Sequence, residues 1–180
     1  MQNKADVNNA EVLETERLLL KRPSREEDAG LSGLWRDAEV RRYLGGVVGE
    51  EVIEKKLAWQ QTHWQQAGFG RWTVYEKASG QIAGLCGLHY SQKGIELSYD
   101  FYPIFWRRGI AMEAARACLE DGFSRLNIES VLIITQEANI ASCRLAEKLG
   151  MHKIERLWEF ESWQSVYEMT REAFMAPEEQ

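Results

Sequence analysis

The chain has 180 residues, 44% hydrophobic and 11% aromatic, enough for a domain-sized core, which excludes an intrinsically disordered chain. Its net charge of −6 provides no long-range attraction to nucleic acid or an anionic membrane surface, and taken over the whole chain it favours a basic partner such as an amine. Cys86, Cys118 and Cys143 are odd in number and far apart, in neither a disulfide framework nor a zinc spacing; with a polar start and no apolar run of membrane length, the expectation is a cytoplasmic protein without a metal.

Residues 1–11 read as a polar tail. Arg17 to Lys21 reads as a short buried strand that stops before Pro23. Ser24 with Glu27 forms a capping box, and a helix runs from it to about Arg36 with Leu31, Leu34 and Trp35 on one face. A short helical piece around Glu39 to Leu44 ends at Gly45-Gly46. Glu50 to Ala67 is a long helix with acids in its first turn and Ile53, Leu57 and Trp64 on one side. Three alternating strands follow, Arg71 to Glu76, Ile82 to Tyr90 and Ile95 to Phe101, joined by the hairpin-like turns Ala78–Gly80 and Ser91–Gly94.

The period then changes from two to 3.6. Ala111, Ala114, Ala115, Cys118, Leu119, Gly122, Phe123 and Leu126 form an apolar helical stripe. Val131 to Thr135 is a buried strand, and Asn139 to Leu149 is a helix closed by Gly150. Strands at about Lys153 to Phe160 and Val166 to Thr170 complete one domain over residues 12–172, with residues 173–180 as a second tail. The strand–helix–strand unit over residues 95–135 predicts a right-handed crossover between parallel strands.

One junction is suited to holding a phosphate. Trp106-Arg-Arg-Gly-Ile-Ala-Met-Glu-Ala114 joins an alternating strand to a helix start, where unpaired N–H groups and the positive end of the macrodipole meet. Gly109 permits an unusual turn there. Neither G-x-x-x-x-G-K-[ST] nor G-x-G-x-x-G occurs, so the site is neither of those nucleotide motifs.

Together with Glu96-Leu-Ser-Tyr-Asp-Phe-Tyr-Pro103 before it and Asn139-Ile-Ala-Ser142 … Glu147-Lys-Leu-Gly-Met151 after it, this junction resembles the GNAT superfamily of acetyl-CoA-dependent N-acetyltransferases. Leu13-Glu-Thr-Glu-Arg-Leu-Leu-Leu-Lys-Arg-Pro23, followed by Glu27-Asp-Ala29, is similar to the ribosomal-protein N-terminal acetyltransferase (Rim-type) branch, which also contains small-amine acetyltransferases. The resemblance covers about residues 12–172. It implies an α/β (mixed α+β) fold: a central, mostly antiparallel sheet of about six to seven strands, the fourth and fifth splayed apart, with helices on both faces.

It also implies roles. The amides of Arg107, Arg108, Gly109, Ile110 and Ala111 would hold the CoA pyrophosphate, and the backbone of Tyr99, Phe101 and Tyr102 would lie beside the pantetheine arm. Asn139 would bond that arm while capping its helix, and Lys148 would reach a CoA phosphate. Many members carry a tyrosine acid near position 146; here that residue is Ala146, and Ser142 is the group left to bond the departing thiolate. Glu96, which alternation places with Ser98 and Asp100 on one face, is the base that takes a proton from the acceptor amine, with Asp100 the weaker choice. The implied reaction is direct acetyl transfer from acetyl-CoA to a protein N-terminus or a small amine, by an enzyme that can form a homodimer. The missing tyrosine motivates an alternative, a non-catalytic CoA-binding module. His63, His89 and His152 show no ligand spacing, though His89 can approach the cleft from the neighbouring strand. Trp35, Trp59, Trp64 and Trp72 are core candidates that, with Tyr43, can line an aromatic pocket.

Overall fold

Apolar residues at alternating positions give eight strands, which a computed structural model, describing residues 11–176, joins into one sheet. In chain order these are β1 (Val12–Glu14), β2 (Leu18–Lys21), β3 (Arg71–Glu76), β4 (Ile82–Ser91), β5 (Gly94–Phe101), β6 (Ser130–Gln136), β7 (His152–Glu159) and β8 (Ser162–Thr170), laid side by side as β1-β2-β3-β4-β5-β6-β8-β7. The pairs are antiparallel except β5 with β6, which the crossover helix makes parallel. The helices are α1 (Asp28–Arg36), α2 (Glu50–Ala67), α3 (Ile110–Ser124), α4 (Ile140–Lys148) and α5 (Arg171–Met175).

The helical stripe of α3 buries Ala114, Ala115, Cys118, Leu119 and Phe123 against Cys86, Leu97 and Phe101 of the sheet. A second, smaller cluster joins Leu31, Leu34 and Trp35 of α1 and Ile53 of α2 to Leu85 on the opposite face. Helices therefore cover both faces. The capping box is present: the Ser24 amide donates to Glu27 Oε2 at 2.7 Å, and a single 3-10 turn, Arg25–Glu27, leads into α1.

The structure corrects several elements. β1 is an eighth strand, paired edge-on to β2, that a three-residue segment carries too little pattern to reveal. Residues 38–45 form successive turns rather than a helix, because Asp37 Oδ1 and the Arg41 guanidinium bond local backbone groups instead of letting a ladder form. β7 and β8 are one hairpin, turned at Phe160-Glu161, both with positive φ (51° and 57°) and neither a residue that announces such a turn. Residues 173–175, read as tail, lie in α5, whose Phe174 ring sits 5.0 Å from that of Phe123. Residues 1–10 and 177–180 of the expected tails lie outside the described residues. No helix among the described residues is long and apolar enough to cross a membrane.

Candidate functional site

The sheet opens at β5 and β6. β5 pairs with β4 along its whole length, but its parallel pairing with β6 is limited to Glu96 opposite Leu132. The Tyr102 amide donates to the Ala83 carbonyl at 2.9 Å on the β4 side. Backbone direction alternates along a strand, so Leu97, Tyr99 and Phe101 turn their peptide groups toward the gap. Of these, the Phe101 carbonyl accepts from Trp106 Nε1 at 2.7 Å. Tyr99 is left as an open edge at the centre of the gap. A cleft of about 1230 Å³ lies there.

At one end of the cleft stands the turn before α3. After a 3-10 turn over Pro103–Phe105, Arg107 and Gly109 both adopt left-handed conformations, φ 58° and 76°. Glycine takes this readily; arginine takes it only where its surroundings impose it. A Cβ on Gly109 would sit 3.2 Å from Arg17 Nη2. Arg17 braces the turn from outside, donating to the Arg108 carbonyl at 2.8 Å and to Glu113 Oε2 at 2.6 Å. The carboxylate in the first turn of α3 is thereby neutralised, and the amides from Arg107 to Ala111 have no side-chain or inter-element backbone acceptor among the described residues. Arg108 folds its guanidinium back onto the Glu76 carboxylate and lies 5.5 Å from the Phe105 ring centre, and the cleft is lined from this turn by Arg107, Gly109 and Ala111, not by Arg108 or Ile110. Arg107 and Lys148 line the same cleft.

On the α4 side, Asn139 caps the helix: its Oδ1 accepts from the Ser142 amide at 3.2 Å, which leaves its amide nitrogen for another acceptor. Ser142 is 8% exposed, and its hydroxyl lies 2.8 Å from the Tyr99 phenol oxygen. Burial raises the Tyr99 pKa well above its ordinary value, so the phenol stays protonated. Sequence reasoning used only the backbone of Tyr99. Alternation alone would have found its side chain, since Tyr99 shares a face with Leu97 and Phe101, toward α3 and α4. Ala146 is fully buried in the core. Cys143 has its sulfur 3.9 Å from the Gln136 carbonyl.

The other face of β5 presents Glu96, Ser98 and Asp100 to the cleft, as alternation predicts. Asp100 is 7% exposed and accepts from Arg71 Nη1 at 3.0 Å, while the same nitrogen lies 3.4 Å from the Ser98 hydroxyl. This ion pair removes Asp100 as a free base. Arg71 reaches across because Gly87 stands between β3 and β5 in the register and has no side chain; a Cβ there would lie 2.4 Å from the Gly70 carbonyl oxygen. Glu96 has no such ion-pair partner among the described residues. Burial raises its pKa to about 7, against the opposing pull of Arg71 and a hydrogen bond from Ser91. His89 lies directly opposite Glu96 on β4, and burial lowers its pKa to about 4, so it is a neutral ring beside the carboxyl. His63 stacks on Trp59 at 5.0 Å, and Trp64 and Trp72 meet edge to face in the core. Trp35 and Tyr43 line the cleft. No cluster of three or more His, Cys, Asp or Glu suited to a metal occurs among the described residues.

Comparison with known proteins agrees with this fold. The model of the acetyltransferase (GNAT) domain matches residues 17–152. An uncharacterized protein of Bacillus subtilis, YkkB, is 31% identical over 161 residues, 87% of this chain and 94% of that one. The uncharacterized N-acetyltransferase YoaA of the same organism is 28% identical over 148 residues, 79% and 83% of the two chains. In fold, the chain is similar to a GNAT-family acetyltransferase from Bacillus anthracis (TM-score 0.76, 22% identity, 89% of this chain and 99% of that one). It is similarly close to spermidine N-acetyltransferase from Vibrio cholerae, solved in complex with CoA and spermine (TM-score 0.78, 18% identity, 90% and 100%).

Proposed function

The chain belongs to the GNAT acetyltransferase family, and from that premise we propose that it transfers acetyl directly from acetyl-CoA to a primary amine, with Glu96 as base and Ser142 beside the departing sulfur. One observation carries the reading: the β5–β6 gap joins a cradle at Arg107–Ala111, whose amides have no side-chain acceptor among the described residues, to the Glu96 carboxyl, which has no ion-pair partner there and whose pKa burial raises to about 7. The cradle fits a pyrophosphate. Its anion-binding groups are backbone, its glycine has no Cβ to fill the space, and the one acid in the helix start is already paired with Arg17. The open edge of Tyr99 fits an amide-bearing arm, as does the uncommitted nitrogen of Asn139, and Lys148 supplies charge at the phosphate end. When bound, acetyl-CoA supplies an activated acetyl thioester.

The rest is done by side chains. Glu96 accepts a proton from the acceptor ammonium, directly or through water, and frees the nitrogen lone pair for attack on the acetyl carbon. A pKa near the working pH is what a general base needs. A C–N bond forms as the C–S bond breaks, and the nitrogen's second proton is released as the thiolate leaves, to give the amide and CoA thiol. Ser142 donates its hydrogen bond to the sulfur that leaves, and Tyr99 donates in turn to Ser142, so the pair does the work that many relatives give to a tyrosine at position 146. No side chain in the cleft has the partner base of a covalent nucleophile, which favours direct transfer. The Leu13–Pro23 segment supports a place near the Rim-type branch, and hence a protein N-terminus or small amine as acceptor. The test is thiol release from acetyl-CoA over a panel of amines. Wild-type turnover that Glu96→Gln and Ser142→Ala both depress supports the reading; absence of any acetyl-CoA binding by calorimetry refutes it.

A further inference from the structure

The cleft is charged against the chain. The whole sequence carries −6, yet Arg41, Lys56 and Arg71 gather at one end of the cleft, with Arg42 also in its lining and Glu39, Glu96 and Asp100 its acids. Asp100 and Arg71 cancel one another. Arg41 is 8% exposed and donates to the neutral carbonyls of Leu44 and Gly46, which bind its guanidinium without neutralising it. Lys56 is half-buried on α2 and makes no hydrogen bond or ion pair among the described residues. Burial lowers its pKa, Arg41 and Arg71 push the same way, and the Asp100 carboxylate, already paired with Arg71, pulls the other way more weakly. A partly desolvated ammonium beside an arginine, with no anion of its own, lacks a partner.

The neighbouring residues say what kind of partner. A side pocket of about 500 Å³ opens from the cleft and shares Trp35, Lys56, Arg71 and His89 with it. Its own walls are Val52, Lys55, Trp59 and Gln60. Gln60 stands one helical turn from Lys56, so the two share a face of α2. It is 2% exposed, and neither its amide nitrogen nor its amide oxygen has a hydrogen-bond partner among the described residues. A buried amide left open on both atoms costs stability unless something pairs with it.

We infer that the acceptor is a primary amine that also carries a carboxylate. Its nitrogen faces Glu96, its carboxylate lies between Lys56 and Arg41 within reach of Gln60, and its remaining atoms enter the side pocket against Trp35 and Trp59. A polycationic amine is the wrong charge for this end of the cleft. The assignment rests on the acetyl-transfer reading, so the test separates the two. Thiol release from acetyl-CoA is measured for the L-amino acids, for short peptides with Asp or Glu at the second position, and for tyramine, amino-acid amides and spermidine. The expected result is a kcat/KM for a carboxylate-bearing amine at least about tenfold above its uncharged analogue, from one charge-assisted hydrogen bond. The amino-acid and peptide arms tell a small acceptor from a protein N-terminus. Lys56→Met collapses that preference by about tenfold through KM rather than kcat, and Lys56→Arg restores most of it. Turnover of spermidine or tyramine with none of the carboxylates overturns the inference and leaves acetyl transfer standing. A preference that survives Lys56→Met overturns it too. Acetyl-CoA bound with no thiol released to any amine overturns both.

Discussion

Replacing Glu96 by Gln tests the base through two independent readouts. In the fold the carboxyl titrates at about 7, and its ordinary value is 4.5. The folded state therefore holds the proton about 300-fold more tightly than the unfolded chain, a difference of about 3 kcal/mol. Because the folded value is the higher one, this contribution is complete below 4.5 and is lost as pH rises through 7. Between about pH 5 and about pH 8 the wild type should lose about 2.5 kcal/mol that the Gln variant keeps. Urea denaturation at the two pH values, for both proteins, measures this directly. Catalysis must move the opposite way. Wild-type kcat/KM rises as Glu96 ionises near 7, and Glu96→Gln removes that inflection and lowers turnover near neutral pH by about a hundredfold. Parallel stability differences at the two pH values would refute the buried, unpaired state of Glu96. A preserved inflection near 7 would refute its role as base.

Three further perturbations bear on the rest of the site. Gly109→Val forces a β-branched residue into φ 76° and sets a Cβ 3.2 Å from Arg17 Nη2, so acetyl-CoA affinity should fall by about tenfold or more in calorimetry; an unchanged Kd would remove the cradle. Tyr99→Phe and Ser142→Ala each break the 2.8 Å hydroxyl pair, and in the double variant the losses in kcat should be far from additive; additive losses would mean that the two hydroxyls do not act together. Arg71→Ala leaves Asp100 buried without its partner, at a cost of about 3 kcal/mol or more in denaturant unfolding, whereas an exposed pair such as Lys55–Glu51 should contribute under about 1 kcal/mol.

How much of this was legible in the sequence depended on the range of the interactions involved. α2, β3 and the start of α3 follow from period and turn chemistry, which are local, and the structure matches those bounds closely. The faces of β5 were equally legible, because alternation has no freedom once the strand is known. His89 opposite Glu96 was one step away: the turn at Gln92-Lys93 pairs Ser91 with Gly94 and so fixes every later pair. Arg71 with Asp100 was not legible, since it needs the registers of two strand pairs and the absence of a side chain at Gly87. The Phe160-Glu161 turn was hidden for a different reason. Its left-handed residues are held by the β7–β8 ladder and not by their own preference, so composition gives no sign of them.

Net charge and the charge lining the cleft act over different ranges. A value of −6 acts at distances where the chain looks like a single charge, and salt screens that field beyond about 8 Å. On the proposed reading an acceptor in the cleft lies closer than that to Lys56, Arg41 and Glu96, which are themselves partly buried. There the local inventory decides, and it runs opposite to the total because the chain's acids lie mostly elsewhere. Glu96 makes the point within the site itself. Near neutral pH it is only partly ionised, so it offers the incoming ammonium a proton acceptor without supplying a full counter-charge to the cations around it. The positive end of the cleft is thus left for a second group on the acceptor. Neutralising exposed acids far from the cleft should change the salt dependence of association and leave acceptor preference intact, whereas a change at Lys56 should do the reverse.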